Sequence, residues 1–240
     1  MNILQVSAIF VLAVGGSVRA APVCPPLGDA DANPAFDATL LKEGRFTYRT
    51  SMDGKPLGDT VIELRRVGSD YRLTMSAAEI GQSWEATVKP SFAPVAAHLV
   101  MRSKSGPYEM NLRYAGSRIS GEERHAGVVT PVRSESTGVV IDQRVDWASM
   151  MAVEAPIGRS VTMRVFDPSS AFSPLLGTVG LAPTMRGAWG EAAAVRFDYS
   201  ICKRDHVENY TVFATRETPR YMLREDMPNG LVSELVRIEP

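Results

Sequence analysis

The stretch YRTSMDGKPLGDTVIEL, Tyr48 to Leu64, sets alternating side chains on both sides of the hexapeptide DGKPLG. Successive strand side chains point to opposite faces, so Phe46, Tyr48, Thr50 and Met52 read as one face and Arg45, Thr47, Arg49 and Ser51 as the other. DGKPLG does not open a helix, and it lacks the strand-to-helix setting in which a glycine-rich loop cradles phosphate. It reads as a hairpin corner with Lys55 at a solvated tip.

The same period recurs along the chain. Tyr71, Leu73, Met75 and Ala77 alternate with polar neighbours, as do Trp84, Ala86 and Val88, and then Tyr108, Met110, Leu112 and Tyr114. Val161, Met163 and Val165 repeat the pattern, followed by Val195, Phe197, Tyr199 and Ile201. Parallel strands covered on both sides would instead read as continuous apolar runs. Turn chemistry separates the segments at Gly68 to Asp70, Lys104 to Pro107, Ala115 to Arg118 and Met227 to Gly230. The expectation is a mainly β domain over residues 42–240: about nine or ten strands in a single curved antiparallel sheet or half-barrel, lipocalin-like or lipoprotein-carrier-like.

Two segments break the alternation. Val145 to Ala155, VDWASMMAVEA, predicts one short helix with Asp146 as N-cap, Trp147, Met150, Met151 and Glu154 at helical spacing, and Pro156 as its end. Asp167 to Ala192 is rich in Pro and Gly, yet carries Phe172, Leu175, Leu176 and Trp189. A long irregular stretch of that kind reads equally as a lid over an apolar surface or as a loop plugging the core.

The N-terminal residues predict export. Ile3 to Val14 is an apolar run too short for a stable membrane span, and small Val18 and Ala20 suit signal-peptidase cleavage after Ala20. Residues 1–20 are therefore read as a signal peptide and 21–41 as an N-terminal extension, with periplasmic or secreted localisation. Cys24 follows Ala-Pro-Val rather than a lipobox, which argues against a lipid anchor. The two cysteines, Cys24 and Cys202, read as a disulfide, with two unrelated thiols as the alternative. Basic and acidic residues nearly balance, 26 against 27, and no basic block stands out, so nucleic acid is not an expected partner.

No motif declares a reaction. His98, His125 and His206 lie in separate segments without metal-ligand spacing, and no cofactor motif is present. Arg204 to Glu208, RDHVE, reads as a solvated loop, and Asp142, Arg144 and Asp146 as surface pairing plus helix capping. Asn209-Tyr210-Thr211 is a formal glycosylation sequon, meaningful only in a eukaryotic secretory pathway. No catalytic residue or metal ligand is assigned, and the chain reads as non-enzymatic.

The apolar faces say more. Methionine suits surfaces that accept variable apolar ligands, although core filling is its default. One short helix and one irregular segment are few elements to cover so large an apolar face. Candidate ligand-binding residues are therefore Tyr71, Met75, Tyr108, Met110, Leu112, Tyr114, Phe172, Leu175, Leu176 and Trp189. The leading reading is a carrier or sensor of a lipid-like ligand. The alternatives are an envelope scaffold with a packed core that binds a protein, and a hydrolase of an envelope polymer using the Arg204 to Glu208 loop.

Four segments also carry a resemblance: EGRFTYRTSMDGKPLGD with Gly44, Tyr48, Gly54 and Gly58, then YEMNLRYAGSRISG, VDWASMM and TPRYMLREDMPNGLVSELVRI. In that order they resemble an exported bacterial family, domain-of-unknown-function family 3108, over Lys42 to Ile238. The resemblance implies a periplasmic curved antiparallel sheet akin to the half-barrels that carry lipid-modified proteins. It implies no activity, and it lends no support to a lid at AFSPLLGTVGLAPTMRGAW.

Overall fold

The structure, a computed structural model, describes residues 34–103 and 105–239. The predicted signal peptide and Cys24 lie outside the described residues. Among the described residues seventeen strands are formed, many more than the alternation made legible. The first eight are β1 (Gly44–Met52), β2 (Lys55–Val67), β3 (Asp70–Ala77), β4 (Gln82–Val88), β5 (Pro94–Ser103), β6 (Gly106–Ala115), β7 (Arg118–His125) and β8 (Val128–Glu135). After β9 (Val140–Asp142) comes a single helix, α1 (Asp146–Met151). Then follow β10 (Ser160–Asp167), β11 (Ala171–Leu181), β12 (Met185–Gly187), β13 (Gly190–Ala192), β14 (Ala194–Cys202), β15 (Val207–Thr215), β16 (Met222–Asp226) and β17 (Leu231–Glu239).

Fifteen of these make one sheet in which β1 and β17 are neighbours. From that central pair one meander runs out through β2 to β8, and the other runs back through β16, β15, β14, β11 and β10 to β9. The pairing is antiparallel except between β9 and β10, which are parallel, a departure from the all-antiparallel expectation. The sheet is open, because its edge strands β8 and β9 do not pair with each other, so a closed lipocalin-like barrel is not formed. Curvature nevertheless brings β9 against β5. Val140 and Phe166 there join Ala97, Met110, Leu112, Ile119 and Val132 in a cluster separate from the main core.

The opening stretch is the β1–β2 hairpin. Its turn is shorter than the hexapeptide: Asp53 (φ 50°) and Gly54 (φ 76°) make the corner, and Lys55 already pairs with Met52. Positive φ at both central residues matches the twist of the flanking strands. Gly58 lies inside β2 beside a break in register, where a Cβ would come within 2.6 Å of the Glu79 side chain. Lys55 is exposed at the tip, as read.

The lid expectation is overturned. Ala171–Leu181 is an eleven-residue strand paired on both sides, with β10 and β14. Its inward positions are Ser173, Leu175, Gly177 and Val179, all buried, and two of the four are too small to register as apolar alternation. At Gly177 the reason is α1, whose Met150 lies against it: a Cβ there would sit 2.5 Å from Met150 Cε. Pro174 is tolerated because the β14 pairing begins one residue later, at Leu175 opposite Ile201. Only β12 and β13 form a separate two-stranded hairpin.

The predicted helix is present but short. It spans six residues and stops well before Pro156, because residues preceding β1 pair with the chain that follows it: Asp37 N donates to Ala152 O at 2.9 Å, and Phe36 bridges Val153. Asp146 is not its N-cap; Val145 is, without a side-chain bond. Asp142 instead caps a preceding 3-10 turn (Gln143–Val145) by accepting from Arg144 N. α1 lies on the inner side of the sheet with Ala148, Met150 and Met151 buried in the main core. Burial of this kind stabilises by about 1.5–3 kcal/mol per large apolar side chain. The concavity is thus occupied by the protein itself.

Candidate functional site

The residues proposed from sequence do not converge on one surface. Tyr71, Leu175 and the half-buried Met75 belong to the main core. Tyr108, Met110, Leu112, Tyr114 and Phe172 belong to the second cluster. Leu176 faces outward from β11, and Trp189, in the turn between β12 and β13, packs half-buried against the main core.

Within the second cluster, Tyr114 on β6 donates to Asp142 at the end of β9. Arg144 holds Asp142 in turn and reaches Asp167 Oδ2 at 3.2 Å. Read as surface pairing, these groups are in fact enclosed: the side chains of Asp142 and Arg144 are 0% and 7% exposed. Burial works against the Arg144 charge, but Asp142 outweighs it and raises its pKa. Burial would raise Asp167, yet Arg144 holds it below the usual carboxylate range. The cluster fastens the β9 end of the sheet to β6. The geometry is that of a structural tie.

A second buried polar group sits deeper. Asp146 opens α1, and Glu225 projects inward from β16 between Val212 of β15 and Ser233 of β17. The Tyr199 hydroxyl donates to Asp146 Oδ1 at 3.5 Å, and Glu225 lies close enough for the two carboxyls to act on each other. Tyr199 stacks on Tyr210 with centroids 4.9 Å apart, and Tyr210 donates to Glu208 at 3.1 Å. Desolvation pushes Asp146 up to about 7, and desolvation followed by the field of Asp146 pushes Glu225 up to about 8. These carboxyls are therefore largely protonated at neutral pH or just below it. Sequence reading passed over Glu225, although its period-two phase with Leu223 places it on an apolar face.

The solvated loop holds no enclosed site. His206 Nδ1 lies 2.7 Å from Asp205 and Nε2 3.3 Å from Glu208, with the imidazole more than half exposed. The Asp205 hydrogen bond raises the His206 pKa, as expected of an exposed pair. Among the described residues no group of His, Cys, Asp and Glu could hold a metal.

One crevice joins apolar walls to positive charge. Leu41, Phe46, Ile62, Leu64, Leu73, Met151 and Met222 line it, with Trp147 and Tyr221 half-buried at its side. Lys42 and Arg220 stand at the same crevice, tied by Lys42 N donating to Arg220 O at 2.7 Å and Arg220 N to Leu40 O at 2.6 Å. Lys42 Nζ lies 5.1 Å from the Tyr221 ring centre, and Arg220 Cζ lies 5.9 Å from that of Phe197. Arg220 Nη1 donates to Met151 O at 2.7 Å, meeting a carbonyl at the C-terminus of α1. Its Nε is buried with no hydrogen-bond partner, and neither cation pairs with a carboxylate among the described residues. Burial accordingly lowers the Arg220 pKa. The open volume is about 20 Å³, room for about one water molecule.

A family model described as protein of unknown function (DUF3108) matches residues 45–239. A search of the curated proteins returned no match. Two solved structures are similar at low level. One, from Bacteroides fragilis and described as exported with a YmcC-like fold, shares 12% identity at a TM-score of 0.35, covering 87% of this chain and 100% of that one. The other, described as a lipoprotein of Parabacteroides distasonis, shares 7% identity at 0.34 with the same coverage. Neither likeness is close enough to carry an argument.

Proposed function

The chain belongs to the DUF3108 family of proteins of unknown function, and from that premise we propose that it is an exported, non-enzymatic protein of the cell envelope that binds an amphipathic anion. The observation behind this reading is the Arg220 guanidinium, held against an apolar crevice with its Nε unpaired and no carboxylate to meet its charge. Leaving such a group unpaired costs on the order of 1–3 kcal/mol. A carboxylate or phosphate head would take the unused Nε edge while Lys42 supplied a second charge. The acyl part would enter between Trp147 and Leu64, displacing Trp147 and Tyr221 from the closed arrangement.

The test is a titration of the protein with laurate and with dodecanol, followed by tryptophan fluorescence and native mass spectrometry. Saturable binding of laurate alone, weakened about tenfold by Lys42→Met or Arg220→Met, is the expected result. Equal binding of both amphiphiles, or no binding of either, refutes it. Lys42→Met guards against a folding defect, since Arg220 also meets the end of α1. The packed interior favours a second reading, an envelope scaffold that meets a protein partner through its surface. That reading takes over if laurate does not bind. A disulfide between Cys24 and Cys202, tying the mature N-terminus to β14, belongs to the same exported setting.

A further inference from the structure

A different surface carries an independent site. On the outer face, long ion-paired side chains such as Arg45 with Glu63, Arg72 with Glu85 and Arg124 with Glu122 stand over β1 to β4 and β7. Across β10, β11, β14 and β15 two adjacent cross-strand rows carry mostly short side chains, with Asp198 paired to Arg196 at their border. Ser160, Thr178, Asp198 and Thr211 stand in one cross-strand row. The next row is Thr162, Leu176, Ser200 and Asn209. Together they floor a groove of about 470 Å³. Four strands at their usual spacing make it ~14 Å across.

The polar groups of the groove are partly spoken for. Ser200 Oγ donates to Asn209 Oδ1 at 2.7 Å and Thr211 Oγ1 to Asp198 Oδ1 at 2.7 Å. Arg196 Nε meets Asp198 at 2.8 Å, so the one carboxylate on the floor is already neutralised. The hydroxyls of Ser160, Thr162 and Thr178 make no hydrogen bond within the described residues. The Asn209 amide nitrogen has no such partner either, while its oxygen is engaged.

We propose that this groove is a binding site for a neutral oligosaccharide. A sugar presents adjacent hydroxyls, each both donor and acceptor. The floor answers with side chains of the same dual character, one carboxamide and one carboxylate, at spacings that strand pairing fixes. Leu176, in the middle of the second row, offers apolar contact to the C–H face of a ring. The pairing of Asp198 with Arg196 leaves no net charge to select a charged ligand. A peptide adding as a strand is disfavoured, because β11 and β14 are hydrogen bonded on both sides. The floor itself carries no cation to bind a nucleic acid.

The test is an amide-resolved NMR titration of the full mature chain with chitotetraose and, separately, with maltotetraose, up to tens of millimolar. Saturable shifts confined to Thr162, Thr178, Ser200, Asn209 and their neighbours are expected with at least one of them. Thr178→Arg, an exposed change that fills the groove, and Asn209→Ala should each weaken that binding about tenfold. An absence of shifts with both sugars, shifts scattered over the surface, or unchanged binding by Thr178→Arg overturns the proposal. Laurate binding at the crevice is unaffected by either variant, so the two sites fail separately.

Discussion

Replacing Glu225 by Gln should make the protein more stable at pH 8 and leave it nearly unchanged at about pH 4. Glu225 is 9% exposed, faces Asp146 and Tyr199 in the core, and has its pKa raised to about 8, against an ordinary value near 4.3. Between those values the folded state holds a proton that the unfolded chain has released, so stability falls as pH rises through that window. Each pH unit contributes ~1.4 kcal/mol, and the three units from pH 5 to pH 8 bring the loss to ~4 kcal/mol. Gln keeps the shape and cannot ionise, so its advantage over Glu starts near zero at about pH 4 and grows by that amount between pH 5 and pH 8. For a chain of this length 1 kcal/mol moves Tm by about 2–4 °C, which makes the expected gain at pH 8 roughly 8–16 °C. Urea denaturation followed by tryptophan fluorescence at each pH unit, with parallel thermal melts, reads both quantities. A wild-type protein that grows more stable from pH 5 to pH 8, or an E225Q variant with an unchanged slope, refutes the reasoning.

Other perturbations read the remaining contacts. Gly177→Ala places a Cβ 2.5 Å from Met150 Cε, and overpacking of this sort costs ~1–3 kcal/mol, visible as an earlier urea midpoint. Tyr114→Phe leaves Asp142 without one of its donors and should cost ~1–3 kcal/mol by the same assay. An unchanged midpoint would mean that the tie between β6 and β9 contributes nothing. If Cys24 pairs with Cys202, reduction raises the intact mass by two hydrogens and lowers stability by ~3–5 kcal/mol. An unchanged mass rules the pairing out.

Strand identity was legible locally because period-two alternation survives wherever one face is covered and the other is wet. Tyr48, Leu73 and Phe197 are buried at 1%, 0% and 1%, on the faces their alternation gave them. The pattern faded in β7 and β8, whose residues are mostly exposed on both faces near the edge of the sheet. It also failed in β11, where Ser173 and Gly177 stand in place of large apolar residues, Gly177 because Met150 of α1 needs the room. The apolar crevice was out of reach as well, since Lys42 and Arg220 are brought together only by a bridge between chain segments far apart in sequence.

Composition and alternation by themselves determined a β domain with one greasy face, hairpin corners such as Asp53-Gly54, and a short helix near Trp147. Those features depend on backbone geometry and on neighbours within a few residues. Only the tertiary structure decided that the helix fills the concavity and that Asp142 and Arg144 are enclosed. It also decided that Asp146 and Glu225, far apart along the chain, perturb each other. Burial and charge proximity depend on which segments fold over one another, and desolvation acts on a carboxyl only once the surrounding chain has excluded water.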